Sequence, residues 1–396
     1  MDKEEIFKNY NEYVIPSYKR QDVIFVKGKG SYLWDIDGKK YIDFFPGWAV
    51  SGLGHCNNYV VEKIKQQVDI LIHLSNNYYH PWQAILAKKL IEISFDGKVF
   101  FCNSGAESNE AAIKLSRLYG RDKGRYKIIS MENSFHGRTL ATVTMTGQRK
   151  YNEIFEPLPV GFLYAKFNDF SDLVKKIDDE VCAIILELIQ GEGGINVIDK
   201  EYLRKVKDLC KERDILLIFD EVQTGFGRTG EFFAYQVFGI EPDIMTLAKT
   251  IGGGFPVGAM IAKREIADLM RPGTHASTFG GSPLACMACL GVIEAIEREN
   301  LLENVKIMGK YLRKNLEELK NEFKWIKKVK GVGLMLAIEL DRDGDQLVKI
   351  CLENGLLINC TQNNVIRIMP AINVKKEEIE EGIEILKMSL KKAGFK

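Results

Sequence analysis

Two residues that can do chemistry each follow an apolar run that is typical of a buried strand. Asp220 follows "ILLIF", and Lys249 follows "DIMTLA". Ligands of open α/β sheets bind just beyond the carboxyl ends of strands. A carboxylate at 220 could keep a ring nitrogen protonated, bind a metal ion or cap the following turn. A desolvated lysine at 249 is a nucleophile suited to Schiff-base chemistry, although an exposed lysine at a strand end has the same sequence signature.

The stretch "FFCNSGAESNEAA" predicts a strand, a turn and a helix that could bind an anion. Ser104 and Glu107 have the spacing of a capping box, and the free N–H groups of a helix start favour phosphate, although many capped helices bind nothing. Phe135 could stack on a flat ring and Arg138 could bind a carboxylate, with buried packing and a surface ion pair as the alternatives. A Schiff-base lysine, an acid for a pyridine nitrogen, a phosphate site and a stacking aromatic are together what pyridoxal phosphate requires.

Two other motifs are weaker evidence for a site. The stretch "TGFGRTG" (224–230) contains G-x-G-x-x-G, but "DEVQ" separates it from the preceding strand and no clean helix start follows, which favours a loop over a dinucleotide site. Cys286 and Cys289 have C-x-x-C spacing inside an apolar segment, where positions i and i+3 of a helix share one buried face. No second cysteine pair or nearby histidine completes a zinc site. We therefore expect a structural role for both cysteines and no bound metal.

Charge and hydropathy limit the classes of partner. The 396 residues include 55 Lys and Arg against 54 Asp and Glu, a formal net charge of +1. This balance gives no field that would attract nucleic acid or an anionic membrane, so we expect small-molecule partners. The chain does not begin with a basic segment followed by an apolar one, and no apolar stretch is long enough to span a bilayer. These features predict a cytoplasmic protein.

The residue pattern changes twice along the chain and predicts three regions. Residues 1–57 hold short strands around an Asp37-Gly38 turn, typical of an antiparallel ribbon. Residues 58–280 alternate amphipathic stretches with brief apolar runs, which predicts a mostly parallel α/β sheet. Residues 281–396 combine a long helical pattern, two apolar runs and a charged amphipathic tail, which predicts a separate α+β domain.

The sequence resembles the class III (subgroup II) pyridoxal-phosphate aminotransferases of fold type I, and among them the enzymes that act on acetylornithine. The resemblance covers almost the whole chain through the ordered motifs "LGH", "NSGAESNEAA", "FHGRT", "QGEGG", "DEVQTGFGRTG", "STFGGSPLA" and "VIRIMP". It implies a large cofactor-binding domain, residues 58–280, with a mostly parallel seven-stranded sheet flanked by helices. It also implies a smaller α+β domain built from both chain ends, residues 1–57 and 281–396.

The resemblance also assigns residues to pyridoxal 5′-phosphate. Lys249 would form the Schiff base and then shuttle the substrate proton, and Asp220 would pair with the pyridinium nitrogen. Thr278 would reach the phosphate bound to the neighbouring subunit of a homodimer, so a monomer would be inactive. The phosphate turn, the stacking aromatic, an acid behind the ring and two residues beside the ring would be Ser104, Gly105, Ala106, Phe135, Glu187, Val222 and Gln223.

A second set of residues is assigned to substrates by the same resemblance. Arg138 would hold the distal carboxylate of glutamate or the α-carboxylate of the ω-amino donor, and Arg367 would hold the α-carboxylate of glutamate. Glu192 would pair with Arg367 and hide its charge when the other substrate binds. Ser277 is also assigned to the substrate. Trp48 stands where ornithine-specific relatives carry tyrosine, and it either reshapes the mouth of the pocket or packs in the core or at the dimer interface.

The implied reaction moves the δ-amino group of N2-acetyl-L-ornithine to 2-oxoglutarate by a ping-pong mechanism. Its products are N-acetyl-L-glutamate 5-semialdehyde and L-glutamate, and its setting is arginine biosynthesis. Succinyl-diaminopimelate, succinylornithine, ornithine and 4-aminobutyrate are alternative donors. A protein that binds pyridoxal phosphate without transamination is the alternative from another class, and the two arginines argue against it because a mere binder needs no substrate-binding groups.

Overall fold

The computed structural model describes residues 2–394. Its strands, in chain order, are β1 Phe25–Lys29, β2 Tyr32–Asp35, β3 Lys40–Asp43, β4 Lys98–Cys102, β5 Lys127–Met131, β6 Phe162–Ala165, β7 Val181–Leu186, β8 Ile189–Gln190, β9 Asn196–Val197, β10 Leu216–Asp220, β11 Ile244–Leu247, β12 Gly258–Ala262, β13 Ile326–Val332, β14 Met335–Leu340, β15 Leu356–Leu357, β16 Asn359–Thr361 and β17 Val365–Ile368. Its helices are α1 Lys3–Tyr13, α2 Asn58–Val68, α3 Pro81–Ile93, α4 Gly105–Gly120, α5 Leu140–Met145, α6 Arg149–Asn152, α7 Phe170–Lys176, α8 Lys200–Arg213, α9 Ala234–Phe238, α10 Arg264–Ala267, α11 Pro283–Arg298, α12 Leu301–Glu322, α13 Asp345–Glu353 and α14 Lys376–Lys392.

A seven-stranded sheet in the order β4-β12-β11-β10-β7-β5-β6 forms the centre of the fold. Only β12 runs antiparallel to its neighbours, while β10 pairs in parallel with both β7 and β11. Every residue of β7, β10 and β11 is buried, which explains why these strands appear in the sequence as continuous apolar runs rather than alternating ones. The predicted mostly parallel seven-stranded sheet is confirmed.

The parallel strands bring several chain segments to one edge of the central sheet. β10 ends at Asp220, β4 leads into the turn before α4, and β5 leads into the segment that contains Phe135. β7 ends just before Glu187, and β11 ends two residues before Lys249. Because parallel strands end on the same side, residues that are far apart in the sequence meet there.

Two smaller sheets flank this centre. The predicted N-terminal ribbon is the antiparallel set β1-β2-β3, and β15 from the C-terminal part adds to it in parallel with β3. The other sheet has the order β13-β14-β17-β16, and β17 carries Arg367. Both chain ends therefore contribute to the smaller α+β part, as the fold class predicts.

The stretch "TGFGRTG" is a loop, as predicted, and it is buried. Arg228 within it has no exposed surface, and its backbone carbonyl accepts a hydrogen bond from the Leu334 N–H. The Arg228 guanidinium donates to the carbonyl oxygens of Leu334 and Pro370. The loop therefore fastens the segment after Asp220 to the sheet that carries Arg367.

Two other sequence expectations concern helices. Cys286 and Cys289 are buried on α11, which confirms their predicted place on an apolar helix face. Within residues 2–394, no helix combines the length and the apolar character that crossing a bilayer requires.

Candidate active site

A cavity of about 160 Å³ opens where the strand ends converge. Most of the residues assigned to the cofactor line it, together with Glu192 from the substrate set. Ser104, Thr278, Arg138, Arg367, Trp48 and Ser277 were also expected at the site and do not line this cavity. The lining residues are Gly105, Ala106, Asn109, Phe135, His136, Gly137, Glu187, Ile189, Glu192, Asp220, Val222, Gln223, Thr224 and Lys249.

Lys249 lines the cavity and is not an exposed lysine at a strand end. It begins a short 3₁₀ turn after β11 with a φ of 56°, a left-handed conformation that is uncommon for a side chain of this size. Burial lowers the pKa of Lys249, although Glu192 and Asp220 act in the opposite direction. A lowered pKa leaves more neutral amine near neutral pH, and the neutral amine is the nucleophilic form.

The Asp220 carboxylate is surrounded by N–H donors from three segments. Oδ2 accepts from Asn109 Nδ2 and faces His136 Nδ1, both at 2.8 Å, and Oδ1 accepts from the Val222 N–H at 3.0 Å. The Val222 contact is the turn-capping bond that the sequence allowed. Donors at both oxygens suit a carboxylate that faces a protonated ring nitrogen and do not suit a metal ligand.

Glu187 and Phe135 are joined through the protein backbone. The Phe135 N–H donates to Glu187 Oε2 at 2.9 Å. Burial raises the pKa of Glu187 to about 7, and the nearby Asp220 acts in the same direction. The Phe135 ring lines the cavity and meets Tyr151 edge-on, with centroids 5.9 Å apart. Phe135 is therefore held with its ring at the cavity, where it can contact a flat ligand.

The start of α4 lies where the sequence predicts an anion site. The Ser104 side chain caps the helix by accepting from the Glu107 N–H at 3.2 Å. The second hydrogen bond of the expected capping box, from the Ser104 N–H to the Glu107 side chain, is replaced. Glu107 Oε2 accepts instead from the backbone N–H and the side-chain amide of Asn103. A Cβ at Gly105 would lie 2.8 Å from Val222 Cγ1, so only glycine lets the helix start approach the loop after Asp220 so closely.

The two candidate substrate arginines differ in their partners. Arg367 is 1% exposed, its Nη1 is 2.6 Å from Glu192 Oε1, and its Nε donates to Asn359 at 2.9 Å. Arg138 is exposed, and its guanidinium lies 4.1 Å from the ring centroid of Tyr151. No carboxylate within residues 2–394 forms an ion pair with Arg138. One cation is thus masked and the other is available to a ligand.

The remaining expected residues lie outside the cavity of their own chain. Trp48 is 49% exposed, which excludes the core-packing alternative, and its carbonyl accepts from Gln223 Nε2 at 3.2 Å. Ser277 Oγ accepts from the Gly280 N–H at 3.0 Å and from Asn103 Nδ2 at 3.3 Å. Ser277 therefore shapes its own loop. Thr278 is exposed and does not line this cavity.

Sequence reasoning missed two residues that contact Asp220. Asn109 lies one helical turn after Gly105, so the helical period could have placed it on the same face as the anion site. His136 lies between Phe135 and Arg138, which were both assigned. Nothing in the local sequence indicates that either one bonds to Asp220.

The residues present fit pyridoxal phosphate. The free N–H groups in the first turn of α4, Lys249 and Asp220 all face one cavity, and the buried Oε1 of Gln223 has no hydrogen-bond partner within residues 2–394. An orphaned amide oxygen at the cavity wall is the kind of group that a polar ligand satisfies.

Comparison with known proteins agrees with a site for pyridoxal phosphate. The family description "Aminotransferase class-III" matches residues 14–390. The acetylornithine aminotransferase of Caldanaerobacter subterraneus subsp. tengcongensis is 50% identical, covering 97% of this chain and 98% of that protein. The acetylornithine aminotransferase of Aquifex aeolicus is also 50% identical, covering 95% and 99%. The solved ornithine aminotransferase of Toxoplasma gondii superposes with a TM-score of 0.95 at 31% identity, covering 99% of this chain and 95% of that one.

Lys249 should react with small aldehydes at a lower pH than surface lysines do. When protein freed of any ligand is treated with formaldehyde and a mild reductant at about pH 8, we expect peptide mass spectrometry to show more methylation at Lys249 than at Lys3. Burial lowers the pKa of Lys249, whereas the hydrogen bond that Lys3 donates to the Asp37 carboxylate raises the pKa of the exposed Lys3. Methylation of Lys3 with Lys249 left intact would contradict this assignment.

Proposed function

The chain belongs to the class-III aminotransferase family, and we propose that within this family it transfers the δ-amino group of N2-acetyl-L-ornithine to 2-oxoglutarate. The products are N-acetyl-L-glutamate 5-semialdehyde and L-glutamate, and the process served is arginine biosynthesis. The observation that carries the proposal is the Arg367–Glu192 pair at 2.6 Å beside an Arg138 that has no carboxylate partner among the described residues.

This arrangement of charges matches the two substrates. Acetylornithine presents one carboxylate, and its α-nitrogen is an uncharged amide, so it needs one available arginine. Glutamate and 2-oxoglutarate carry two carboxylates and need two. Arg138 serves the first carboxylate of either substrate, and Arg367 serves the second once Glu192 releases it. One pocket can thereby accept ligands of different charge without leaving a buried cation unpaired.

The cofactor of this family is pyridoxal 5′-phosphate, which withdraws electrons from the substrate carbon as its proton leaves. In the proposed assignment, the N–H groups of Gly105 and Ala106 with the Ser104 cap hold the phosphate, and Phe135 contacts the ring. Asp220 balances the charge of the ring nitrogen. The other ring contacts are assigned to Glu187, Val222 and Gln223.

Lys249 has two roles in this proposal. Its Nζ holds the cofactor in the resting enzyme and, once released, carries the substrate proton. The lowered pKa supports both roles, because an amine must be neutral to attack a carbonyl carbon and to accept a proton. Its place beside Asp220 and Glu192 in the lining of one cavity keeps the amine near both the ring site and the substrate site.

Sequence identity favours acetylornithine among the possible donors. Two acetylornithine aminotransferases are 50% identical to this chain over nearly its whole length. An exposed Trp48 next to Phe45, whose ring also lies 4.6 Å from the Arg367 guanidinium, places an indole near the second arginine. We assign Trp48 to the mouth of the substrate pocket.

We further propose a homodimer in which Thr278 contacts the cofactor phosphate of the neighbouring subunit. Phe279 beside it is 62% exposed. The neighbouring segment, residues 70–79, carries the exposed side chains Ile70, Ile72 and Tyr79. Asn76 ties the two segments together by donating to the carbonyl oxygens of Ser277 and Gly280. Several exposed apolar side chains on two joined segments are typical of a protein interface. A second copy of the chain that covers this surface would bring Thr278 to the cavity of the other subunit.

A cytoplasmic location is also part of the proposal. All eight cysteines of the chain are free thiols in the structure, including the partly exposed Cys360 and the exposed Cys56. Reducing compartments keep thiols in this form.

A half-reaction panel tests the activity and the donor together. Adding glutamate should shift the cofactor absorbance band and 2-oxoglutarate should reverse it, with acetylornithine the fastest of the ω-amino donors. The competing donors are ornithine, succinylornithine, succinyl-diaminopimelate and 4-aminobutyrate. A static spectrum would favour a non-catalytic binder of the cofactor, and a slow reaction with acetylornithine would overturn the donor alone. Lys249→Ala should abolish turnover.

Glu192→Gln should affect the kinetics of the two substrates differently. The variant leaves Arg367 charged and without its partner, so kcat/KM for acetylornithine should fall about tenfold, while KM for 2-oxoglutarate should stay equal or decrease. Steady-state kinetics with each substrate varied in turn measures both effects. Glu353→Gln, which removes a surface ion pair with Lys392, is the matched control. An equal loss for both substrates would contradict the switch.

Mixed dimers test whether Thr278 acts in trans. Lys249→Ala and Thr278→Asp should each be inactive alone, the latter because a carboxylate repels the phosphate. After the two are unfolded and refolded together, we expect about one quarter of wild-type activity, since half of the dimers are mixed and each mixed dimer holds one intact site. If Thr278 served its own chain, no mixture would recover activity.

A further inference from the structure

The proposed chemistry gives no role to two side chains that contact the Asp220 carboxylate. His136 and Asn109 both contact the same carboxylate oxygen, Oδ2, and both line the cavity. We propose that His136 is a positioning residue that acts as a neutral imidazole, filling Oδ2 of Asp220 together with Asn109 and leaving Oδ1 to the cofactor ring. This inference rests on the proposed function, because it assumes that Asp220 faces the ring nitrogen.

The hydrogen-bond capacity of the carboxylate supports this division of its oxygens. Each carboxylate oxygen has about two acceptor positions. Those of Oδ2 are occupied by Asn109 Nδ2 and His136 Nδ1, both at 2.8 Å. Oδ1 accepts from the Val222 N–H at 3.0 Å and keeps one position open. The donors therefore select which oxygen is available to a ligand.

The orphaned nitrogen of His136 indicates that the ring is neutral. The imidazole is completely buried, and Nε2 has no hydrogen-bond partner within residues 2–394. A doubly protonated ring would leave an N–H buried without an acceptor, which is costly. A neutral ring with its proton on Nδ1 donates to Asp220 and leaves only an acceptor unpaired. It also adds no positive charge that would compete with the ring nitrogen for the Asp220 carboxylate.

The ring is fixed in this orientation by its backbone. The His136 N–H donates to Thr146 Oγ1 at 2.9 Å, and its carbonyl accepts from Asn109 Nδ2 at 2.8 Å. The Asn109 amide nitrogen faces two acceptors, the His136 carbonyl and Asp220 Oδ2, which settles which end of the amide faces Asp220, and Asn109 Oδ1 accepts from Thr246 Oγ1 at 2.8 Å. One amide thus ties together α4, the segment of His136 and the end of β10.

Nitrogen-15 spectra of the holoenzyme labelled at histidine test the protonation state. The chain has five histidines, so the His136 signals can be assigned as those lost in His136→Asn. We expect a protonated Nδ1 and an unprotonated Nε2 in the wild-type protein at neutral pH. A doubly protonated ring, or a proton on Nε2 alone, would overturn the proposal.

Two substitutions test whether the donated bond matters for the reaction. His136→Leu keeps a buried side chain of similar size without a donor, and kcat should fall about tenfold or more while KM for both substrates changes little. His136→Asn places an amide N–H where Nδ1 was and should recover most of kcat. Equal losses in both variants would reduce His136 to packing and overturn the proposal.

Different results would contradict the proposed function and the role of His136. A wild-type holoenzyme that reacts with no amino donor would contradict the proposed function, whereas the protonation state of His136 would still be read from the spectra. If His136→Leu does not fold, the wild-type spectra and the His136→Asn kinetics still decide the question.

Discussion

The buried carboxylate of Asp220 is the constraint on which the rest of the site depends. A charge that is 5% exposed is stable only if donors replace the water that it has lost. Those donors come from α4, from the segment after β5 and from the turn after β10. The same three segments supply Gly105, Phe135 and Gln223. Satisfying one carboxylate therefore assembles most of the cavity wall.

The charged groups near the cavity are stabilised in different ways, which the proposed use of one site by two substrates requires. Arg367 is buried and paired with Glu192, and the cost of burying it is offset by that partner and by Asn359. Arg138 is exposed and rests on aromatic rings, which leaves its charge available to a ligand. Lys249 has no such charge pairing to maintain, since burial favours its neutral form. The strained backbone at Lys249 fits the tendency of such conformations to occur at functional sites.

The buried "TGFGRTG" loop connects the segment after Asp220 to the sheet that carries Arg367. Gly227 has a φ of 91° and approaches Ile372, and Arg228 binds the carbonyl oxygens of Leu334 and Pro370. Pro370 follows β17, the strand of Arg367. The glycines thus let the chain turn within a packed interior, and the motif matches a dinucleotide fingerprint only by its letters.

The sequence by itself determined the strands that end at Asp220 and before Lys249, the residues just beyond their ends and the family, because apolar runs and ordered motifs are local. It did not show that Asn109 and His136 bond to Asp220, that Glu107 binds Asn103, or that Trp48 is exposed. Asn109 and His136 are separated from Asp220 by 111 and 84 residues. Periodicity indicates which positions are buried, but it does not indicate which distant polar groups form hydrogen bonds with each other. Only the tertiary structure, which brings parallel strand ends to one edge, decided those partners.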